Sequence, residues 1–409
     1  MKDISKKLHE FIKKNFIKED IPESRFSIQS EKFLSSILEL IIEANQLLNS
    51  MQIDIQHIKY QGSIPRSYDY NYIPSSIRKE IDAIDKNAYV YRFKLHGKEY
   101  QVVFIYPINS KYTETMLLKR IHKVIMWLYI ADHFASNKCS QQMNIFMYFT
   151  PLEKSLPISR KTIEQEHANT AFTTSCKTTT EINLFREEEW FKVFIHETFH
   201  NLGLDFSALN ENLSRKQILS IFPVESQVNL FETYCEMWAE IMNIVFIVFL
   251  STKEKEKKAG ENLGKIPAMI RDISQHLYYE RIFSLFQCIK VLHFFGLEYK
   301  ELHEHSSKNH TARIHKFKEK RTNVLAYYIL KAIYMFYLND FIEWVIKHNR
   351  GSLDFTKDDK TIHSYGEFIQ SRYKERGLLN SIAIMEEWFK KNNKCEVECT
   401  TMRMSLFEE

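Results

Sequence analysis

The spacing of hydrophobic residues indicates helices at the start of the chain. An apolar repeat with the 3.6-residue period of an α-helix runs over 33–48. A polar connection follows, and it contains the turn-forming residues Pro65 and Pro74. Residues 1–85 are therefore expected to form a helical N-terminal region.

Strand patterns begin after this region. Two apolar and aromatic runs, 89–95 and 100–107, flank the short polar stretch 96–99, which predicts a β-hairpin. The next predicted elements are a helix over 116–134 and strands over 143–150, 169–175 and 181–186. The alternation predicts a small sheet in the middle of the chain.

The rest of the chain has mainly helical patterns. A helix is expected to open with the three acidic residues 187–189, which suit the positive end of a helix dipole. Further helices are predicted over 229–250, 266–295, 322–347 and 366–389. The expected fold class is α+β and mostly helical, with a helical region 1–85, a metal-binding core 86–250 and a helical region 251–409.

Composition narrows the classes of function. Nine glycines and eight prolines in 409 residues favour helices over turn-rich β folds. The net charge of +4 offers no broad surface for nucleic acid. The longest apolar run, 241–250, is about half of the ~20 residues that a membrane span requires. We therefore expect neither nucleic-acid binding nor membrane insertion.

The cysteines and the first residues of the chain bear on its location. Six cysteines are scattered without a Cys-x-x-Cys pair, which favours a reducing compartment. Residues 1–17 have charges spread through them, which predicts an amphipathic helix rather than a signal peptide. The expected location is the cytoplasm, or a host cytoplasm or virion if the chain is viral.

The sequence His-Glu-Thr-Phe-His at 196–200 is the strongest chemical signal in the chain. On a helix, His196 and His200 lie one turn apart on the same face, so both imidazoles can bind one metal ion. Glu197 is displaced round the helix towards the metal, where it can accept a proton from a water molecule. The pattern alone would arise by chance in roughly one such sequence in twenty, so the presence of a third ligand is the natural test.

Three glutamates downstream of the motif are candidates for the third metal ligand. Glu232, Glu236 and Glu240 recur every four residues on one face of an otherwise apolar helix. Zinc in a hydrolase needs three protein ligands and a fourth position for water. The alternative interpretation is a solvated stripe on a surface helix.

The two segments together resemble the gluzincin class of zinc metallopeptidases. That class combines His-Glu-x-x-His with a downstream Glu-x-x-x-Asp/Glu, and 236–240, Glu-Met-Trp-Ala-Glu, is similar to the second motif. The resemblance implies that Glu236 is the third zinc ligand and that Glu240 orients His196. The alternative is that Glu232 is the ligand with Glu236 behind it, although Cys235 then replaces the alanine of the motif.

Two other resemblances bear on the class. The metzincin pattern requires a ligand six positions after His200, where this chain has Phe206, with Asp205 one position away. That class is therefore disfavoured. The stretch 150–207 also resembles predicted metallopeptidases of large DNA viruses that have not been characterised.

Further candidates depend on the peptidase interpretation. A tyrosine or histidine commonly stabilises the oxyanion in this class. An edge strand, 169–175 or 181–186, could pair with a peptide substrate. The histidine-rich segment 301–315 repeats no ligand spacing and is expected to be a solvated loop. The oxyanion candidates are Tyr327, Tyr328, His303 and His305.

The expected function is zinc-dependent hydrolysis of a peptide or protein, with Glu197 as the general base. One rival is a virion or scaffold protein that retains zinc without catalysis, although a structural site needs no general base. A second rival is a helical interaction protein without metal.

Overall fold

A computed structural model describes residues 1–17, 21, 25–159, 162–259, 265–306, 313–392 and 396–408. These residues form an α+β fold that is mostly helical, as the sequence predicted. The first ten helices are α1 Asp3–Phe16, α2 Ile28–Leu47, α3 Ser75–Ala83, α4 Glu114–Phe134, α5 Gln165–Ala168, α6 Trp190–Asn201, α7 Asn212–Ile221, α8 Leu230–Ala259, α9 Ile266–Phe295 and α10 Tyr299–His303.

The later helices begin with a π-helical segment. It covers Leu325–Leu330 and continues directly into an α-helix. The remaining helices are α11 Lys331–Phe336, α12 Leu338–His348, α13 Asp359–Arg372, α14 Arg376–Lys391 and α15 Val397–Thr400.

Six strands form a mixed sheet with the order β1-β2-β3-β4-β7-β6. The β3/β4 and β4/β7 pairs are parallel, and the other neighbours are antiparallel. A separate short parallel pair joins β5 to β8. The strands are β1 Asp54–Ile58, β2 Lys86–Leu95, β3 Lys98–Pro107, β4 Gln142–Tyr148, β5 Ile163–Glu164, β6 Ala171–Thr173, β7 Thr179–Leu184 and β8 Glu319–Lys320.

The predicted hairpin is confirmed. β2 and β3 are joined by the two-residue turn His96–Gly97, and both residues have positive φ angles. Such a turn matches the natural twist of the two strands. The expectation of an entirely helical N-terminal region is wrong at one place, because β1 pairs with β2 and extends the sheet.

Two predicted helices are interrupted. The helix expected over 322–347 breaks at Tyr337, whose φ of −107° and ψ of 44° are not helical. The helix expected over 366–389 is divided between α13 and α14. Apolar residues continue through the break at Tyr337, whereas the second break lies in the polar stretch 371–377, which the prediction read as part of one helix.

One large apolar core connects the molecule. Its buried side chains include Leu8 of α1, Trp127 of α4, Trp238 of α8 and Phe407. The core therefore draws on all three regions expected from the sequence, and the division at 85 and 250 stays a prediction. The α8 segment Leu230–Lys258 is long and apolar enough to cross a membrane, but 78% of its most apolar window is buried inside the protein.

A disulfide joins Cys139 to Cys176, whereas the sequence favoured reduced cysteines. The parallel pairing of β4 and β7 explains the contact. Gln142 of β4 pairs with Thr179 of β7. Cys139 lies three residues before Gln142, and Cys176 lies three residues before Thr179. Strand pairing thus brings together two residues that are 37 positions apart in the sequence.

Candidate metal centre

Helix α6 carries the His-Glu-x-x-His motif and is buried along nearly its whole length. It packs against α8, α4 and the strands β6 and β7. The Trp127 indole of α4 donates a hydrogen bond of 2.6 Å to the Thr198 hydroxyl. The acidic residues 187–189 precede the helix, with Glu189 as its N-cap in the left-handed conformation. The motif therefore lies on a firmly packed element.

The two motif histidines face each other and a carboxylate of α8. Their Nε2 atoms are 3.1 Å apart. Oε2 of Glu232 lies 3.1 Å from Nε2 of His196 and 3.5 Å from Nε2 of His200. A tetrahedral zinc ion with bonds of about 2.1 Å separates its ligand atoms by about 3.4 Å. Two imidazole nitrogens and a carboxylate oxygen at these spacings fit such an ion.

The carboxylate that lies beside both Nε2 atoms belongs to Glu232, the alternative ligand, which is one helical turn before the preferred Glu236. Glu236 does not face the Nε2 atoms: its Oε1 lies 3.2 Å from Nδ1 of His196, on the other side of the ring. Positions four residues apart on a helix are separated by about 6 Å along its axis. Of the three glutamates, Glu232 is the one whose carboxylate lies beside both Nε2 atoms.

Glu240 also lies elsewhere than expected. Its Oε2 accepts a hydrogen bond of 2.5 Å from Nζ of Lys331, and Glu236 takes the position behind His196 that was assigned to Glu240. Oε2 of Glu236 in turn lies 2.5 Å from Nζ of Lys192. Both differences from the expected contacts have the same cause, which is the position of α8 along α6.

Asp205 supports the second histidine, a role that the sequence analysis missed. Oδ2 of Asp205 bonds to Nδ1 of His200. Gly203, with a φ of +64°, ends α6 and turns the chain so that Asp205 comes back beside the helix. Each histidine thus has a carboxylate behind it, as zinc-binding histidines commonly do. The signal available in the sequence was an acidic residue soon after the motif.

Cys235 borders the same histidine. Its Sγ atom is 3.6 Å from Nδ1 of His200 and 3.8 Å from Oδ2 of Asp205. Burial raises the pKa of Cys235 well above its usual range. The thiol therefore packs as a neutral group in the position where the resembling motif has alanine.

The electrostatics of the centre favour ionised carboxylates beside the histidines. Burial opposes protonation of His196, but Glu232 and Glu236 outweigh burial and raise the pKa of His196 to about 9. Burial would raise the pKa of Glu232, yet the two histidines hold it far below its usual value. For Glu197 burial dominates and raises the pKa of the carboxyl. A buried carboxyl with a raised pKa is suited to accept a proton.

Tyr327 lies at the site, unlike the other oxyanion candidates. Its hydroxyl donates a hydrogen bond of 3.0 Å to Oε2 of Glu232, and its ring centroid is 5.9 Å from that of His196. The hydroxyl of Tyr328 instead donates to the carbonyl of Met402. His303 packs between Tyr299 and Tyr373, and His305 is exposed.

Asn323 completes the surroundings of Glu232. Its Nδ2 donates to Oε1 of Glu232 at 3.1 Å. Its neighbour Thr322 donates at 2.8 Å to Asn169, two residues before β6. These contacts join the site to the edge of the sheet. Part of the histidine-rich segment considered for a second metal, 307–312, lies outside the described residues.

Comparisons with known proteins give no guide to this site. No family model, no curated protein and no solved structure matches the chain.

Proposed function

We propose that the chain is a zinc-dependent peptidase in which His196, His200 and Glu232 hold the ion. The observation that carries the proposal is the convergence of three donor atoms, all within 4.8 Å of one another, beside the buried Glu197. Zinc bound there would lower the pKa of a water molecule and polarise the carbonyl to be attacked.

The side chains of the protein supply the remaining steps. Glu197 takes the proton of the attacking water and passes it to the leaving amine. Tyr327 can turn its hydroxyl from Glu232 to the oxygen on which negative charge develops. Asp205 and Glu236 keep the two imidazoles oriented with their Nε2 atoms towards the ion.

A peptide substrate is supported by the strand next to the motif. Of the two candidate strands, β7 lies inside the sheet, whereas β6 is its edge in the described part of the chain. An extended peptide can add to such an edge through main-chain hydrogen bonds. A cavity of about 450 Å³ borders β6 and is lined by residues that include Tyr72, Asn169 and Phe172. This groove could take substrate side chains.

Zinc content is the first test of the proposal. Protein purified without chelator and reconstituted with zinc should contain about one zinc per chain, because the three donors form one complete ligand set. Metal analysis by mass spectrometry measures this ratio. A zinc content near zero would remove the proposal and leave the helical interaction protein as the better explanation.

The second test separates a peptidase from a zinc-binding scaffold. Glu197→Gln should keep zinc yet lower peptide cleavage roughly 10²- to 10⁴-fold, because an amide cannot accept the proton of water. Cleavage of a random peptide library, measured by mass spectrometry, provides the assay. Equal cleavage by the wild type and the variant would favour a zinc-binding scaffold protein without catalysis. The absence of cleavage by both proteins at full zinc occupancy would favour the same alternative.

A further inference from the structure

The segment 401–408 is buried although it forms neither a helix nor a sheet strand. Each of its residues is at most 8% exposed. Its backbone makes an isolated bridge to Ser155, and main-chain hydrogen bonds join Met402 to Lys154 and Glu408 to Lys2. Its other backbone partners are mainly side chains. Glu189 accepts from the N–H groups of Met404 and Ser405, and Glu280 accepts from those of Leu406 and Phe407.

The carbonyl groups of the segment are bound in the same way. Lys331 donates to the carbonyl of Met404 at 2.7 Å, and Tyr328 donates to that of Met402. Buried backbone groups need such partners, because leaving them unpaired costs free energy. The segment is therefore held in one position by side chains of the surrounding helices.

Lys331 connects this segment to the metal centre. Its Nζ atom bonds to the Met404 carbonyl and to Oε2 of Glu240, and it lies 4.0 Å from Oε2 of Glu236. Oε1 of the same Glu236 carboxylate contacts Nδ1 of His196. Two side chains, Lys331 and Glu236, thus lie between the backbone of the segment and the candidate zinc ligand His196.

The charges behind His196 are balanced as a set. Lys192 and Lys331 face Glu236 and Glu240, and all four side chains are at most 5% exposed. Removing one charge from a buried group of this kind leaves its partner uncompensated. Without Lys331, Glu240 loses its cation and Glu236 keeps Lys192 alone, so the carboxylate behind His196 can shift.

We propose that Lys331, fixed by the carbonyl of Met404, is a positioning residue that sets the orientation of His196 through Glu236. The segment 401–408 is then part of the support of the metal centre, although it touches none of the ligands. This inference rests on the proposed zinc site. Groups that orient ligands in this way commonly change metal affinity or activity by roughly 10- to 100-fold.

Lys290 provides a matched control. It is also a buried lysine, and it donates to the backbone carbonyls of Glu398, just before the segment, and of Thr401, the first residue of the segment. Lys331→Met and Lys290→Met therefore each remove a buried amino group and a bond to this part of the backbone. Of these two lysines, Lys331 is the one that has the contacts with Glu236 and Glu240 described above.

Zinc affinity, measured by competition with a chelator, tests the inference. Lys331→Met should weaken zinc binding roughly 10- to 100-fold, whereas Lys290→Met should change it less than about 3-fold even if both melt at lower temperature. Equal affinities in the two variants would overturn the role of Lys331. Absence of zinc binding in the wild type would instead overturn the proposed function.

The visible spectrum of bound Co²⁺ provides a second test, because a general loss of protein stability does not change it. Bound Co²⁺ has visible absorption bands that respond to ligand geometry. The bands should shift in Lys331→Met and stay as in wild type in Lys290→Met. If the methionine variants do not fold, Lys331→Arg and Lys290→Arg keep the charge but move it. The same contrast in the cobalt spectra is then expected, and unshifted bands in Lys331→Arg would contradict the inference.

Discussion

At the scale of single residues, the account depends on which glutamate of α8 reaches the histidine pair. The sequence supplied the three candidates, but their common four-residue spacing gave no geometric reason to prefer one of them. Ala239 favoured the register of Glu236, yet it lies in the core behind the site. The deciding quantity is the position of α8 along α6. That position is set by packing of many side chains, which a local motif does not contain.

Substitution of each glutamate separates the two registers. Glu232→Ala should empty the site, because two imidazoles alone hold zinc poorly. Glu236→Ala should retain zinc at high concentration with affinity lower by roughly 10- to 100-fold. The exposed Glu225, just before α8, is a matched control whose alanine variant should bind zinc normally. Complete loss of zinc in Glu236→Ala with mild loss in Glu232→Ala would restore the original assignment.

Glu319 predicts a dependence of stability on pH. Burial raises the pKa of Glu319 to about 7, although Ser226 and the backbone of Val324 donate to its carboxyl. In the unfolded chain its pKa is near 4.5. The folded state therefore favours the protonated form, and this contribution is present below pH 4.5 and is lost as the pH rises through about 7.

The contribution is at most about 3 kcal/mol, from a shift of about two and a half units at 1.36 kcal/mol per unit. Glu319→Gln cannot ionise, so its stability should fall less than that of wild type between pH 4.5 and pH 8. Denaturant unfolding at several pH values measures the difference. Parallel pH profiles for the two proteins would show that Glu319 is not buried as described.

At the scale of elements, the end of α6 determines whether Asp205 can support His200. Gly203 has a left-handed φ, and a Cβ there would come within 3.4 Å of Cys176 Cβ. Gly203→Ala should cost about 1–2 kcal/mol of stability and should weaken zinc binding by displacing Asp205. Chelator competition and denaturant unfolding measure the two effects.

Gly97 is the control for the glycine substitution. It has a φ of +81° in the hairpin turn, with no heavy atom near the position of an added Cβ. Gly97→Ala should lose a similar amount of stability without any change in zinc affinity. A zinc affinity of Gly203→Ala equal to that of Gly97→Ala would show that Asp205 does not depend on this turn.

The helices and strands also show which parts of the fold can be predicted from the sequence alone. Long periodic segments, such as α4 and α9, were predicted almost to the residue, because local pattern and burial agree there. The short strand β1 was missed because the apolar alternation of 51–56 is brief, its residues are mostly exposed and its pairing with β2 stabilises it. The break at Tyr337 was missed because both α11 and α12 are apolar. Long-range packing decides such cases.

At the scale of the whole molecule, zinc should stabilise the fold. The ligands come from α6 and α8, and both helices belong to the core that extends through the chain. A ligand that binds only the folded state at 100 times its Kd adds about 2.7 kcal/mol. The wild type should therefore melt at a lower temperature after removal of metal by a chelator, and zinc should restore it.

Glu232→Ala provides the comparison for this effect. Its melting temperature should be insensitive to chelator and to added zinc, because the ligand set is incomplete. Differential scanning calorimetry of both proteins, with and without metal, measures the change. A similar rise with zinc in wild type and Glu232→Ala would mean that the metal binds elsewhere.

The most direct measurement is anomalous diffraction at the zinc absorption edge from crystals of the wild-type protein reconstituted with zinc. The account predicts one strong peak about 2.0–2.2 Å from Nε2 of His196, Nε2 of His200 and a carboxylate oxygen of Glu232. A peak bonded to Glu236 instead of Glu232, or the absence of a peak between the histidines, would contradict it.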